Sequence, residues 1–272
     1  MGLPLNFTLV RHGYSEANRI QRLMRAKDTI TLHDLVNPNF VTRHDSTARL
    51  TSEGVEQAKI TGDWIRANLN PFDRFYVSPH VRTRETASHL KLEGQWIVDD
   101  RFRERDWGEV SSPDVEFNDL MSPLSRRYKE MNEWYWKPQG GESLATGVRS
   151  RVELVQSSLY RRDGVNNVIA VTHGEFIQTT QFVLERLSPD VFNKRQSIPA
   201  YKVENTAVIE YTRQDPSSGK LEDNYHWRRV TVPWDETKSW DDGEWVEFHT
   251  QKHTDESLLS YAEQFPRIFT DE

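Results

Sequence analysis

The stretch NFTLVRHGYSEANRI, Asn6–Ile20, decides how this chain is read. Phe7, Leu9 and Val10 make an apolar run of strand character, and Ser15 to Ile20 reads as the start of a helix. Arg11 and His12 then stand where a strand hands over to a helix. In α/β sheets ligands bind there, outside the carboxyl ends of the strands. The arrangement returns in NVIAVTHGEF, Asn167–Phe176, where a second apolar run ends in His173-Gly174. Parallel neighbours bring their carboxyl ends together, so the two His-Gly steps are expected side by side. Glycine after each histidine removes a side chain and lets a ligand or the other imidazole approach the backbone.

Working outward, Thr51–Asn68 carries Val55, Ala58, Ile60, Trp64 and Ile65 close to one helical face. Phe75–Val77 reads as a short strand, followed by a helix carrying Thr83–Leu90. Gly147–Leu159 and Ile177–Leu187 read as further helices, and QWIVDD is strand-like. Alternating strands and helices predict an α/β fold, a doubly wound, mostly parallel central sheet flanked by helices. Two segments interrupt the alternation, Arg19–Arg49 and Asp106–Gln139, and insertions of that length often form lids over a site. From about Asn205 the chain reads as a strand, a turn at DPSSGK, another strand and an acidic tail. Trp227, Trp234, Trp240 and Trp245 need apolar surface to cover them, so this tail is expected to fold over the body. The expectation is a single domain over residues 1–272, with a C-terminal extension from about residue 212.

The chain has 272 residues, 36% hydrophobic and 28% charged, which suits a globular protein with a sizeable core. Its formal net charge is −7, which argues against a nucleic-acid partner attracted by bulk electrostatics. No cysteine is present, which excludes disulfides and thiolate chemistry. No run approaches the ~18 apolar residues of a membrane span, and MGLPLNFTLV carries no signal-peptide pattern. A cytoplasmic location without a membrane partner is the expectation; the oligomeric state is not legible.

A third polar strand end, VSPHVRTRETA, places Arg82 in the first turns of a helix. Arg11, Arg82, His12 and His173 together make a compact cluster of forked donors. That inventory suits a phosphoryl group, whose oxygens guanidinium binds bidentately.

In order, LVRHGYSEAN, SPHVRTRETA, RERDWGE, GGES and VTHGEF resemble the motifs of the histidine phosphatase superfamily, also called phosphoglycerate mutase-like, over roughly Phe7–Ile209. The resemblance implies that family's three-layer sandwich and a phosphohistidine mechanism. His12 would be the nucleophile, and Arg11, Arg82 and His173 the phosphoryl clamp. Asn18 matches a position that contacts the phosphoryl group or supports the nucleophile. Glu104 matches the proton donor, acid and then base; the alternatives are that it only pairs with Arg103 or Arg105, with Asp106 in reserve. Ser15 either donates to the phosphoryl group or caps the following helix. GGES, Gly140–Ser143, reads as a loop and N-cap. A small phosphorylated substrate is implied, with no cofactor and no metal.

The resemblance has gaps. The glycolytic mutases follow their first motif with an Asn, Phe, Gly-Trp and Asp pattern, and here RIQRLMRAKDTITLHDLVNPNFVTRHD takes that place. A phosphatase is therefore the leading reading; a phosphoglycerate-type mutase and a non-catalytic phosphate-binding module are the alternatives. Arg19, Arg22, Arg25, Lys27 and Arg43 in the insertion form either a basic lid or a solvated loop. Glu175, beside a phosphate site, should point away or meet a cationic substrate group. The Arg43–Asp45 pattern RHD lacks the partners of a metal-dependent hydrolase, and His249 and His253 read as surface histidines.

Overall fold

Strand β1 (Asn6–Arg11) sits inside a seven-stranded sheet, with β4 (Asn167–Thr172) parallel on one side and β5 (Val208–Thr212) antiparallel on the other. The computed structural model describes residues 2–25, 44–108, 123–162, 164–250 and 252–267. Beyond β4 come β2 (Arg74–Val77) and the edge strand β3 (Trp96–Val98), both parallel. Beyond β5 come β6 (Trp227–Thr231) and β7 (Val246–Glu247), both in antiparallel pairs. The order is β3-β2-β4-β1-β5-β6-β7. The expected parallel sheet is therefore half of the story. Among the described residues no α-helix stands between β5 and β6 or between β6 and β7 to build the crossover that parallel neighbours use, and these strands pair antiparallel.

Alternation along β1 sorts the core into two layers. Phe7 and Leu9 pack with Val168, Ala170, Ile209 and Tyr211 under α5 (Arg149–Tyr160) and α6 (Gly174–Leu184). Val10 faces the other way with Ile169, Val171 and Val208, under α2 (Ser52–Asn68) and α3 (Val81–Leu90). Thr51 caps α2 by accepting from the Gly54 amide, and Ser143 accepts from the Thr146 amide at the entry to the π-turn Leu144–Val148 that leads into α5. The GGES segment thus caps as expected.

The face that α2 buries differs from the sequence reading. Gly54, Gln57, Ala58, Thr61, Gly62 and Ile65 are buried, while Ile60 points to solvent. The reason is close approach. A Cβ on Gly13 would lie 2.5 Å from the Gly54 carbonyl, and one on Gly62 would lie 2.3 Å from the Leu90 carbonyl. Small residues are needed along that stripe, and Gln57 Oε1 accepts from the Tyr14 amide at 3.0 Å.

Helix α1 (Glu16–Arg25) takes up the start of the first insertion, with Arg19 and Arg22 exposed. Residues 26–43, including Lys27 and Arg43, lie outside the described residues, as do 109–122 of the second insertion. The remainder of the second is part core rather than lid. After α4 (Pro123–Met131), Trp134 and Trp136 are fully buried, and Trp134 stacks on Phe182 at 3.6 Å and meets Phe192 of α7 (Pro189–Gln196). The C-terminal tryptophans also find cover. Trp227 and Trp240 are buried, and Trp234 Nε1 donates to the Asn205 carbonyl at 2.7 Å. Helix α8 (Asp255–Ala262) ends the described chain, and among the described residues no helix is long and apolar enough to cross a membrane.

Candidate active site

The register of β1 against β4 pairs Arg11 with Thr172, so His12 and His173 leave the sheet side by side. Their ring centroids are 5.2 Å apart, and both rings are buried. On the far side of β4, the β2 strand ends at Ser78, whose hydroxyl lies 2.7 Å from His173 Nε2. Three residues on, α3 begins and delivers Arg82, whose Nε points at His12 Nε2 at 3.2 Å. Three neighbouring strands thus converge at one sheet end, the crevice where α/β sheets hold ligands.

The hydrogen bonds define the imidazoles. His12 Nδ1 lies 2.8 Å from the Gly13 carbonyl, which can only accept, so Nδ1 carries the proton. Nε2 therefore presents its lone pair to Arg82. Burial, and then the charges of Arg82 and Arg11, hold His12 well below the ordinary imidazole range. Burial and then Arg82 do the same to His173. Around this pair several buried polar atoms lack any partner among the described residues: Arg11 Nε, His173 Nδ1 and His80 Nδ1. Such clustering is uncommon in a folded interior and marks a place arranged for something else. A Cβ on Gly174 would lie 3.4 Å from Arg11 Nε. Gly174 thus leaves room for the guanidinium, whereas Gly13 is bare because α2 crosses it.

Glu104 stands on the loop after β3, its Oε1 accepting from the Arg105 amide at 3.0 Å. Burial raises its carboxyl above the usual range, against that amide and the charges of Arg82 and Arg11. Its carboxylate is not paired with Arg103, which goes to Glu142. Asn18 Oδ1 accepts from the Ser15 amide, the Ser15 hydroxyl and Asn205 Nδ2, while its own Nδ2 bonds no described residue. Ser15 Oγ in turn accepts from the Asn18 amide at 3.3 Å, so it is placed as the helix cap. Glu175 neither points away nor stands open. Arg105 Nη1 donates to it at 3.2 Å and Trp107 Nε1 at 3.0 Å, and burial pushes its carboxyl up to about 7. Arg105 itself is sandwiched between the Trp107 and Trp136 rings, at 4.8 and 5.0 Å.

Three neighbours escaped sequence reading. His80 sits with its ring 4.6 Å from that of His173, and burial followed by Arg82 lowers it to about 4. Asn205 Nδ2 donates to the His12 carbonyl at 2.9 Å from far along the chain. Asp45 holds Arg82, Oδ2 to Nη2 at 3.0 Å. His80 and Asp45 lay within quoted motifs, but neither was read as part of this site; Asn205 carried no such signal. Asp106 stays at the surface, its amide near Glu142. His249 and His253 are exposed beside Glu247 and Ser257, and no group of three metal-ligating residues occurs among the described residues.

Comparison with known proteins shows the family and the fold. Residues 36–224, more than half of the chain, match the family described as histidine phosphatase superfamily (branch 1), and the chain belongs to that superfamily. The match starts beyond β1, so the His12 strand end rests on its own motif and geometry. A 2,3-bisphosphoglycerate-dependent phosphoglycerate mutase of Afipia carboxidovorans is 29% identical over 218 residues, 74% of this chain and 93% of that protein. A phosphoserine phosphatase of Entamoeba histolytica, solved with 3-phosphoglyceric acid, aligns with TM-score 0.56 at 20% identity over 76% of this chain and 90% of that one. A mycobacterial glucosyl-3-phosphoglycerate phosphatase, solved with inorganic phosphate, aligns with TM-score 0.55 at 17% identity, covering 76% and 89%. The structural likeness establishes the three-layer phosphoglycerate mutase-like fold.

Proposed function

We propose that the protein is a metal-independent phosphomonoester hydrolase that works through a phosphohistidine on His12, the whole chain acting as one catalytic domain. One observation carries this reading: His12 is buried and neutral, with Nδ1–H on the Gly13 carbonyl and the Nε2 lone pair aimed at a guanidinium. Nε2 attacks phosphorus as the P–O bond to the leaving alcohol breaks. The Gly13 carbonyl stabilises the positive charge that develops on the ring. Arg11 and Arg82, with the Nδ1–H of His173, hold the phosphoryl oxygens where negative charge concentrates. The Asn18 amide adds a donor, and Ser15 acts by fixing Asn18. Glu104, whose carboxyl burial raises towards the acid form, gives its proton to the leaving oxygen. As carboxylate it then takes a proton from the water that attacks phosphorus and releases His12. The substrate is a small phosphate ester of a kind that the relatives' names also suggest.

A second reading is a mutase, favoured by the sequence relatives that carry that name. It differs only in which acceptor takes the phosphoryl group. The test is hydrolysis of an aryl phosphate in EDTA across pH 5 to 8, beside His12→Ala. Phosphate release that vanishes in the variant, with an acid-labile phosphoenzyme in the wild type, supports the hydrolase. Wild-type release by His12→Ala ends the phosphohistidine reading, and phosphoryl transfer to a hydroxy acid without hydrolysis favours the mutase.

A further inference from the structure

The pattern RHD, Arg43–Asp45, found no use in a metal-dependent hydrolase, yet its aspartate is placed in the site. Arg82 is almost wholly buried and spends both terminal nitrogens on one residue: Nη1 donates to the Asp45 carbonyl at 2.8 Å and Nη2 to Asp45 Oδ2 at 3.0 Å. That outer grip leaves Nε turned inward, onto His12 Nε2. Asp45 is itself anchored. The short turn Asp45–Thr47 runs into Arg49 and Leu50, where the Leu50 amide and the Arg49 guanidinium bond Glu85 on α3, the helix that carries Arg82.

We infer that Asp45 is a positioning residue for phosphoryl transfer: it fixes the Arg82 guanidinium so that its inner edge meets the nucleophile and the transferring group. This rests on the phosphohydrolase reading above. An arginine held at one carbonyl and one carboxylate loses little freedom when a phosphoryl group arrives, which is the benefit of preorganisation. The carboxylate has a second consequence. Around Glu104 stand Arg82, Arg11 and Asp45, with the Arg105 amide, and Glu104 also couples to Glu175; around Asp45 stand Arg82 and His80. Asp45 is a negative neighbour that, against the two arginines, favours the protonated form of Glu104.

The experiment compares Asp45→Ala and Asp45→Asn with wild type on an alkyl phosphate, together with ¹⁵N NMR of His12. Asp45→Ala is expected to lower kcat on the order of 10²-fold, the scale of a misplaced catalytic group. Asp45→Asn, which keeps an acceptor for Nη2, is expected to recover most of kcat. Its alkaline limb should move to lower pH, because Glu104 loses a like charge. A merely structural role would lower thermal stability in both variants and leave that limb in place. The His12 Nε2 resonance reports the Arg82 contact without turnover and should shift in Asp45→Ala. Unchanged kcat and pH limb in both variants, or an unmoved His12 resonance, overturns the inference. A wild type that turns over no phosphate ester counts against the hydrolase reading instead, and the NMR result then still decides Asp45.

Discussion

At the scale of single residues, the candidate site sets neighbouring titrating groups in contrast. His12 is held well below the ordinary imidazole range by burial and by two arginines, while burial raises the Glu104 carboxyl in spite of them. The same low-polarity surroundings thus push both groups towards their neutral forms, an imidazole without its extra proton and a carboxyl with one. Replacing Glu104 by Gln should lower kcat on an alkyl phosphate by about 10²- to 10⁴-fold, the usual contribution of a general acid. An aryl phosphate, whose leaving group needs no proton, should lose far less in its phosphorylation step under single-turnover conditions. Wild-type turnover of the alkyl ester should fall as pH rises through the raised Glu104 pKa, since the acid form is the one that donates. Equal losses on both esters in that step would remove Glu104 from this role and bring Asp106 forward.

At the scale of elements, positions are set by contacts that a linear pattern hides. Gly13 and Gly54 let α2 cross the loop carrying His12, backbone on backbone. Gly13→Ala should cost about 1–3 kcal/mol, the usual penalty of overpacking, read as a lower midpoint in urea. Gly174→Ala meets Arg11 at ordinary van der Waals range and should cost less stability than Gly13→Ala in the same titration. The aromatic step after α4 makes a sharper prediction. Trp134 is stacked on Phe182 and edge-on to Phe192, so Trp134→Ala should destabilise the fold by about 3–5 kcal/mol. A change below about 1 kcal/mol would return this stretch to the surface lid that its position between core elements suggested.

At the scale of the whole molecule, the C-terminal strands and tryptophans support a site made by residues that precede them in the chain. Trp234 holds the Asn205 carbonyl, and Asn205 Nδ2 holds the carbonyl of His12. The buried histidine cluster also couples the site to stability. His80 sits at about 4 when folded against about 6.5 when unfolded. The unfolded chain therefore binds more protons between those values, and this group's contribution is lost as pH falls from 6.5 towards 4. His80→Phe should lose less melting temperature than wild type between pH 7 and pH 5, measured by calorimetry without phosphate. An identical pH dependence in the two proteins would show that His80 is not held neutral.

Read as a string, the chain determined its class and most of its site. Apolar runs ending in Arg11-His12-Gly13 and His173-Gly174 carry both strand character and chemistry, and local pattern suffices for those because strands and caps are short-range objects. Arg82 and Glu104 were legible as polar residues just past strands, and Ser143 as a cap. Only the tertiary structure decided which side chains meet. Asp45 on Arg82, Asn205 on His12, and the pair Arg105 and Trp107 on Glu175 join residues from separate elements. The buried face of α2, with Gln57 in and Ile60 out, was likewise set by what lies opposite it. Periodicity reports how a helix turns; only the neighbouring backbone says where it can touch.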